Sequence, residues 1–184
     1  LNEEEAAAFR EVSSMGFPPR GWYRHATMDS GYFANISGMS FGAISQPAVR
    51  ALSRGAHDAG CWMDTGEGGL SPYHLEGDCD VIMQIGTAKY GIRDADGRFS
   101  PEKARELSHV VKAFEIKLSQ GAKPGKGGVL PGRKVTPEIA EARGVEQGTD
   151  CVSPASHSAF STPIEMMQFI ERLRQLSGGK PVGF

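Results

Sequence analysis

The chain has 184 residues, 39% of them hydrophobic, with 20 Lys and Arg against 22 Asp and Glu and a formal net charge of -2. That is enough for one domain with a sizeable core, and it excludes global disorder. The near-neutral balance gives no field that would recruit nucleic acid or an anionic membrane, no apolar run is long enough to span a bilayer, and the acidic start LNEEEAAAF lacks the basic and apolar regions of a signal peptide.

The reading is therefore a cytoplasmic protein that acts on small molecules, with neither nucleic acid nor membrane as partner. Cys61, Cys79 and Cys151 are widely spaced and odd in number, which fits core residues better than a disulfide framework or a metal-binding run.

Residues 1–35 read as an arm: a short helix from Glu3 to Val12, then a loop broken by Pro18, Pro19 and Gly21. From Ile36 onward, short apolar runs alternate with helical stretches that begin with Ser or Thr closely followed by Pro. These starts fall at Ser45, Ser100, Thr136 and Thr162, and Glu165 completes a capping box at the last. That last helix repeats Ile164, Met167, Ile170, Leu173 and Leu176 on one side and is stopped by Gly178 and Gly179, so its Met residues belong to the core.

The runs ISGMSF, CWMDTG, DVIMQIG, AFEIKLS and DCVSPA read as buried parallel strands. Alternating strands and helices make an α/β fold with right-handed crossovers, and both a doubly wound sheet and a (β/α)8 barrel satisfy the pattern. Either architecture gathers ligands in the loops after the strands. The first residue is not Met, and the final PVGF reads as strand, so a piece of a longer chain is expected.

The longest irregular stretch runs from Gln120 to Val135. Its glycines allow close backbone approach, and Lys123, Lys126, Arg133 and Lys134 suit a carboxylate or phosphate. It is not a Walker loop, since Lys126 occupies the place of the second glycine. Lys117 is a charge within the apolar run AFEIKLS, and either a functional role or a salt bridge with Glu115 or another acid explains it. Glu67, between glycines at a strand end, either orients an amine or faces solvent as a turn residue. Gln84 is an amide inside an apolar strand, able to bond a ring edge or the barrel's own backbone. Of the five histidines, His157 in SPASHS is the one well placed for a site.

GMSFGAIS at 38–45, DTGEGG at 64–69, the Gln84 strand with AKYGI after it, IKLSQGAKPGKGGVLPGRKVTPEIA at 116–140 and CVSPASH at 151–157 occur in an order that resembles the FMN-binding domain of glutamate synthase. The resemblance covers residues 36–184 and implies the N-terminal half to two thirds of a TIM-type (β/α)8 barrel, since a full barrel takes about 250 residues. It implies FMN at the carboxyl face, reducing the imine formed from 2-oxoglutarate and ammonia to glutamate.

Under the same resemblance, Met39, Ser40, Gly42, Thr65, Gln84 and Lys117 contact the flavin, while Glu67, Lys123, Gly127 and Gly128 face the substrate. Lys117 and Glu67 are the catalytic pair. An oxoacid or amino-acid substrate and an electron donor follow: a protein such as ferredoxin, or an NAD(P)H-linked subunit. The chain departs from the family pattern where Val129 stands in place of a Gln that contacts the oxoacid, so a different substrate stays open. The family's cysteine run for an iron–sulfur cluster is not found, and neither is the later strand region that holds the FMN phosphate. A non-catalytic half-barrel that binds anions is the remaining alternative.

Overall fold

The computed structural model describes residues 35–120, 123 and 125–184, so the expected helix from Glu3 to Val12 and nearly all of the arm lie outside the described residues. Five α-helices are described: α1 (Gln46–Ala59), α2 (Pro72–Leu75), α3 (Pro101–Ser108), α4 (Pro137–Arg143) and α5 (Pro163–Leu176). Four start at the predicted Ser or Thr: at Ser100, Thr136 and Thr162 the residue before Pro is held extended while Pro pre-sets the first helical φ, and at Ser45 the Pro is the second helical residue. The single turn α2 uses the same device at Ser71 and Pro72, a signal present in the sequence and not read from it. At α5, Thr162 Oγ1 accepts from the Glu165 N–H at 3.2 Å and the Glu165 carboxylate accepts from the Thr162 N–H at 3.3 Å, which is the predicted capping box.

Strands β1 (Met63–Asp64), β2 (Val81–Ile85), β3 (Ala113–Ile116) and β6 (Val182–Gly183) form one parallel sheet, and Ile36 adds a parallel bridge to Met63. Order across the sheet is order along the chain. A doubly wound sheet reverses its strand order at a switch point, so this unreversed run is a barrel wall, and the fold is a partial TIM-type (β/α)8 barrel.

Two expectations are corrected. ISGMSF is not a continuous buried strand, for only Ile36 bridges to the wall and Ser37 and Gly38 are exposed. DCVSPA is not a wall strand: β5 (Cys151–Val152) pairs antiparallel with β4 (Val129–Leu130) in a separate ribbon. The ribbon and α4 form an excursion between β3 and α5, and the next wall strand is β6, in PVGF. The reason is visible in the burial pattern, for Cys151 is buried against Leu130 while Val152 stands exposed, as on an edge ribbon and unlike a strand covered on both faces.

The register sorts side chains onto two faces. Val81, Met83, Ile85, Phe114, Ile116 and Val182 point outward and pack on Met167, Phe169, Ile170 and Leu173 of α5. Each such large side chain contributes about 1.5–3 kcal/mol on burial. The inner face has a lower apolar layer of Trp62, Ile82 and Ala113, and above it a polar layer of Asp64, Gln84 and Glu115. A second apolar cluster joins Phe41, Val49 and Met63 to Leu130, Ile139 and Cys151, seating the excursion on α1. Cys61 and Cys151 are buried, Cys79 half-buried, and all three are free thiols.

Candidate active site

The polar layer ends at the carboxyl mouth of the wall, where the loops after β1, β2 and β3 meet. Gln84 and Glu115 are register partners, so their side chains lie on the same face, and Gln84 Nε2 donates to Glu115 Oε1 at 2.7 Å. One pleat further on, Lys117 Nζ lies 3.5 Å from Glu67 Oε2, with side chains 29% and 15% exposed. The lysine is therefore paired with an acid, though its partner is Glu67 and not its near neighbour Glu115. Gln120 Nε2 donates to the other oxygen, Glu67 Oε1, at 2.5 Å. Both Glu67 oxygens are thus held, one by a cation and one by an amide, and the carboxylate is fixed across the mouth.

The loops approach one another through glycines. A Cβ on Gly38 would collide with Asp64 Oδ1 and lie 2.9 Å from Gln84 Nε2, so the backbone of residues 37–40 rests directly on the polar layer. Gly66 has φ +67, and a Cβ there would lie 2.5 Å from the Ser40 nitrogen, which explains why only glycine serves. Asp64 fixes this turn, its Oδ1 accepting the Gly66 N–H at 2.6 Å.

Met39 and Ser40 are half-buried at this contact, while Ser37 and Gly38 are exposed. Gly42 instead faces Leu130 and Ile139 of the excursion. Thr65 is fully buried on the outer face; its Oγ1 accepts the Gln84 N–H at 3.1 Å and donates to the Gly66 carbonyl at 2.9 Å, so it braces the wall from behind. Gly128 lies against Glu67 and Gln120, and Gly127 against the Ser153 backbone, whereas Lys123 and Lys126 are exposed.

His157 reaches the mouth by an indirect route. Its Nε2 lies 2.8 Å from the Lys117 carbonyl oxygen, an acceptor, so Nε2 carries the proton. The ring stacks on Phe160 at 4.7 Å, and burial pushes its pKa down, keeping it neutral. His157 thus anchors the Lys117 backbone, and its ring lines a hollow with Leu118, Phe160 and Met166.

Sequence reasoning missed Lys89. It is 3% exposed with φ +54, and its Nζ donates to Ser158 Oγ at 2.8 Å and Thr87 O at 3.3 Å, tying the loop after β2 to the segment before α5. Gln120 was missed as well, because nothing in SQGAK marks that amide as facing Glu67, 53 residues earlier.

Residues 31–184 match the family model described as the conserved region in glutamate synthase. The chain belongs to the glutamate synthase family. It is 51% identical over 150 residues to the glutamate synthase large subunit-like protein YerD of Bacillus subtilis, covering 80% of this chain and 28% of that one. It is 36% identical over 149 residues to the archaeal-type glutamate synthase [NADPH] of Thermotoga maritima, covering 80% and 27%. It is also 36% identical over 146 residues to the archaeal glutamate synthase [NADPH] of Methanocaldococcus jannaschii, covering 79% and 26%. The chain therefore spans about a quarter of the length of the glutamate synthase relatives it matches, 28% and 27% for the first two.

Proposed function

We propose that the protein to which this chain belongs is an FMN-dependent oxidoreductase of the glutamate synthase type, reducing a 2-iminoglutarate-type intermediate of 2-oxoglutarate and ammonia to glutamate. In this reading residues 36–184 are the barrel domain, residues 1–35 its arm, and a reduced nicotinamide or an electron-transfer protein is the donor. The observation that carries it is the Lys117–Glu67–Gln120 constellation lying over Gln84 at the mouth of the wall.

The donor set suits a flavin. The backbone of residues 37–40 lies against the polar layer because Gly38 has no room for a side chain, and the exposed Ser37 and Gly38 are where a ring would lie. Gln84 would meet the ring edge through its amide, and Lys117 would supply a cation beside it. FMN, when bound, supplies the hydride; the protein binds, orients and shields. Lys117 is held in place by Glu67 on its side chain and by His157 on its carbonyl, so its charge is pre-positioned.

Glu67 is the acceptor for the substrate's nitrogen. Exposed Lys123, with Gly127 and Gly128 at the loop's return, meets the substrate carboxylates. The test is flavin content: the complete protein is expected to purify with a yellow chromophore that dithionite bleaches, and a colourless protein that takes up no added FMN sinks the reading.

A second reading, an FMN oxidoreductase with another substrate, is favoured by Val129. This side chain is 59% exposed and paired in register with Val152, itself 59% exposed, so it offers no polar contact to an oxoacid. In that case Val129→Gln leaves 2-oxoglutarate affinity unchanged; under the first reading it tightens it.

A further inference from the structure

The polar layer holds more acid than base. Asp64, Glu67 and Glu115 share it with Lys117, which is committed to Glu67 at 3.5 Å. Among the described residues these carboxylates do not converge on a point where a metal ion could sit. Asp64 is the most enclosed, 2% exposed. Its Oδ1 accepts the Gly66 N–H, and its Oδ2 is buried without a partner. An ionised carboxylate with one oxygen buried and unpaired is costly; the neutral acid escapes most of that cost.

The groups that face Asp64 come from three elements: the Glu115 carboxylate and the Lys117 ammonium from β3 and its end, and the neutral Gln84 amide from β2, with the Gly38 backbone against Oδ1. Burial and Glu115 push its pKa up to about 7, against the smaller opposite pull of the Gly66 N–H and Lys117.

We propose that Asp64 holds a proton inside the barrel below neutral pH, and that its release to water leaves a negative charge beneath the flavin position that disfavours the electron-rich reduced flavin. The first half stands on the layer itself; the second rests on the flavin reading above. Asp64 touches no reacting atom and acts by its charge, so it is a positioning residue of the site. The balance is simple: one proton leaves Oδ2 for solvent, no bond to carbon changes, and the carboxylate remains.

Two measurements on the complete protein test this. Infrared difference spectra between pH 5 and pH 8 are expected to show the carbonyl band of a protonated carboxylic acid in wild type, lost in Asp64→Asn; this needs no flavin. Midpoint potentials of the bound flavin across the same range are expected to give a reduced-over-oxidised affinity ratio that falls about tenfold further in wild type than in Asp64→Asn, the size of one charge acting at close range.

A missing band, or one that survives Asp64→Asn, overturns the proton assignment. Identical potential–pH curves in a flavin-loaded wild type and variant overturn the tuning role. Absence of flavin overturns the functional reading, and the infrared result then decides the proton. If Asp64→Asn does not fold, Asp64→Glu serves: the band is expected to move in frequency or pH midpoint, and an unmoved band overturns the assignment.

Discussion

The two faces of one sheet are built on opposite principles. Outward, Met83, Phe114, Ile116 and Val182 meet α5 in a purely apolar contact, with Phe114 and Met83 fully buried. Inward, the sheet presents Asp64, Gln84 and Glu115, a layer in which Gln84 pairs with Glu115 while Asp64 is bonded to the Gly66 N–H through one oxygen and leaves the other unpartnered. Alternation along a strand makes this possible, since consecutive residues such as Phe114 and Glu115 point to opposite sides. The outer face provides stability that the inner face spends on holding polar groups at the mouth.

The largest expected effect lies on the outer face. Phe114→Ala should destabilise the complete protein by about 3–5 kcal/mol in denaturant unfolding while leaving flavin affinity of the folded fraction unchanged. Loss of flavin at full stability would show that the faces are not separable. Next comes the pH dependence of Asp64. Its pKa rises from 3.8 unfolded to about 7 folded, so the folded state keeps a proton that the unfolded state has lost. Stability therefore falls as pH rises from about 4 to about 7 and is level above that, a change on the order of 4 kcal/mol. Denaturation of Asp64→Asn at several pH values should lack this slope.

Lys117→Met should lower turnover roughly 10²–10³-fold with little change in stability, because the pair it breaks is partly solvated. A binding module would show only weaker ligand capture. The smallest effect is at Gln120: without its bond to Glu67, kcat/KM should drop about tenfold, read from steady-state kinetics with melting unchanged. An unaltered kcat/KM would mean that Lys117 alone holds the carboxylate.

Much of the site was legible because it sits in loops whose residue types are unusual for their place. A lysine in AFEIKLS and a glutamate between glycines stand out against apolar strands, and the structure brings them to 3.5 Å. Thr65 shows the limit. Its sequence neighbours are at the mouth, yet alternation turns its own side chain to the buried outer face. Lys89 and Gln120 passed unnoticed because a polar residue in a loop looks solvated until distant segments close on it.

The sequence by itself determined what depends on near neighbours: helix starts at Ser45, Ser100, Thr136 and Thr162, the α/β alternation, and the family to which its motifs belong. The motifs also implied the barrel through their resemblance, while only the tertiary structure decided the order of the strands. It also decided that Cys151 and Val152 leave the wall for a ribbon with Val129 and Leu130. The proton on Asp64 belongs to the same class. Short-range chemistry fixes a cap or a turn, but burial, register and the charge on a neighbouring strand arise when segments far apart in the chain are packed together.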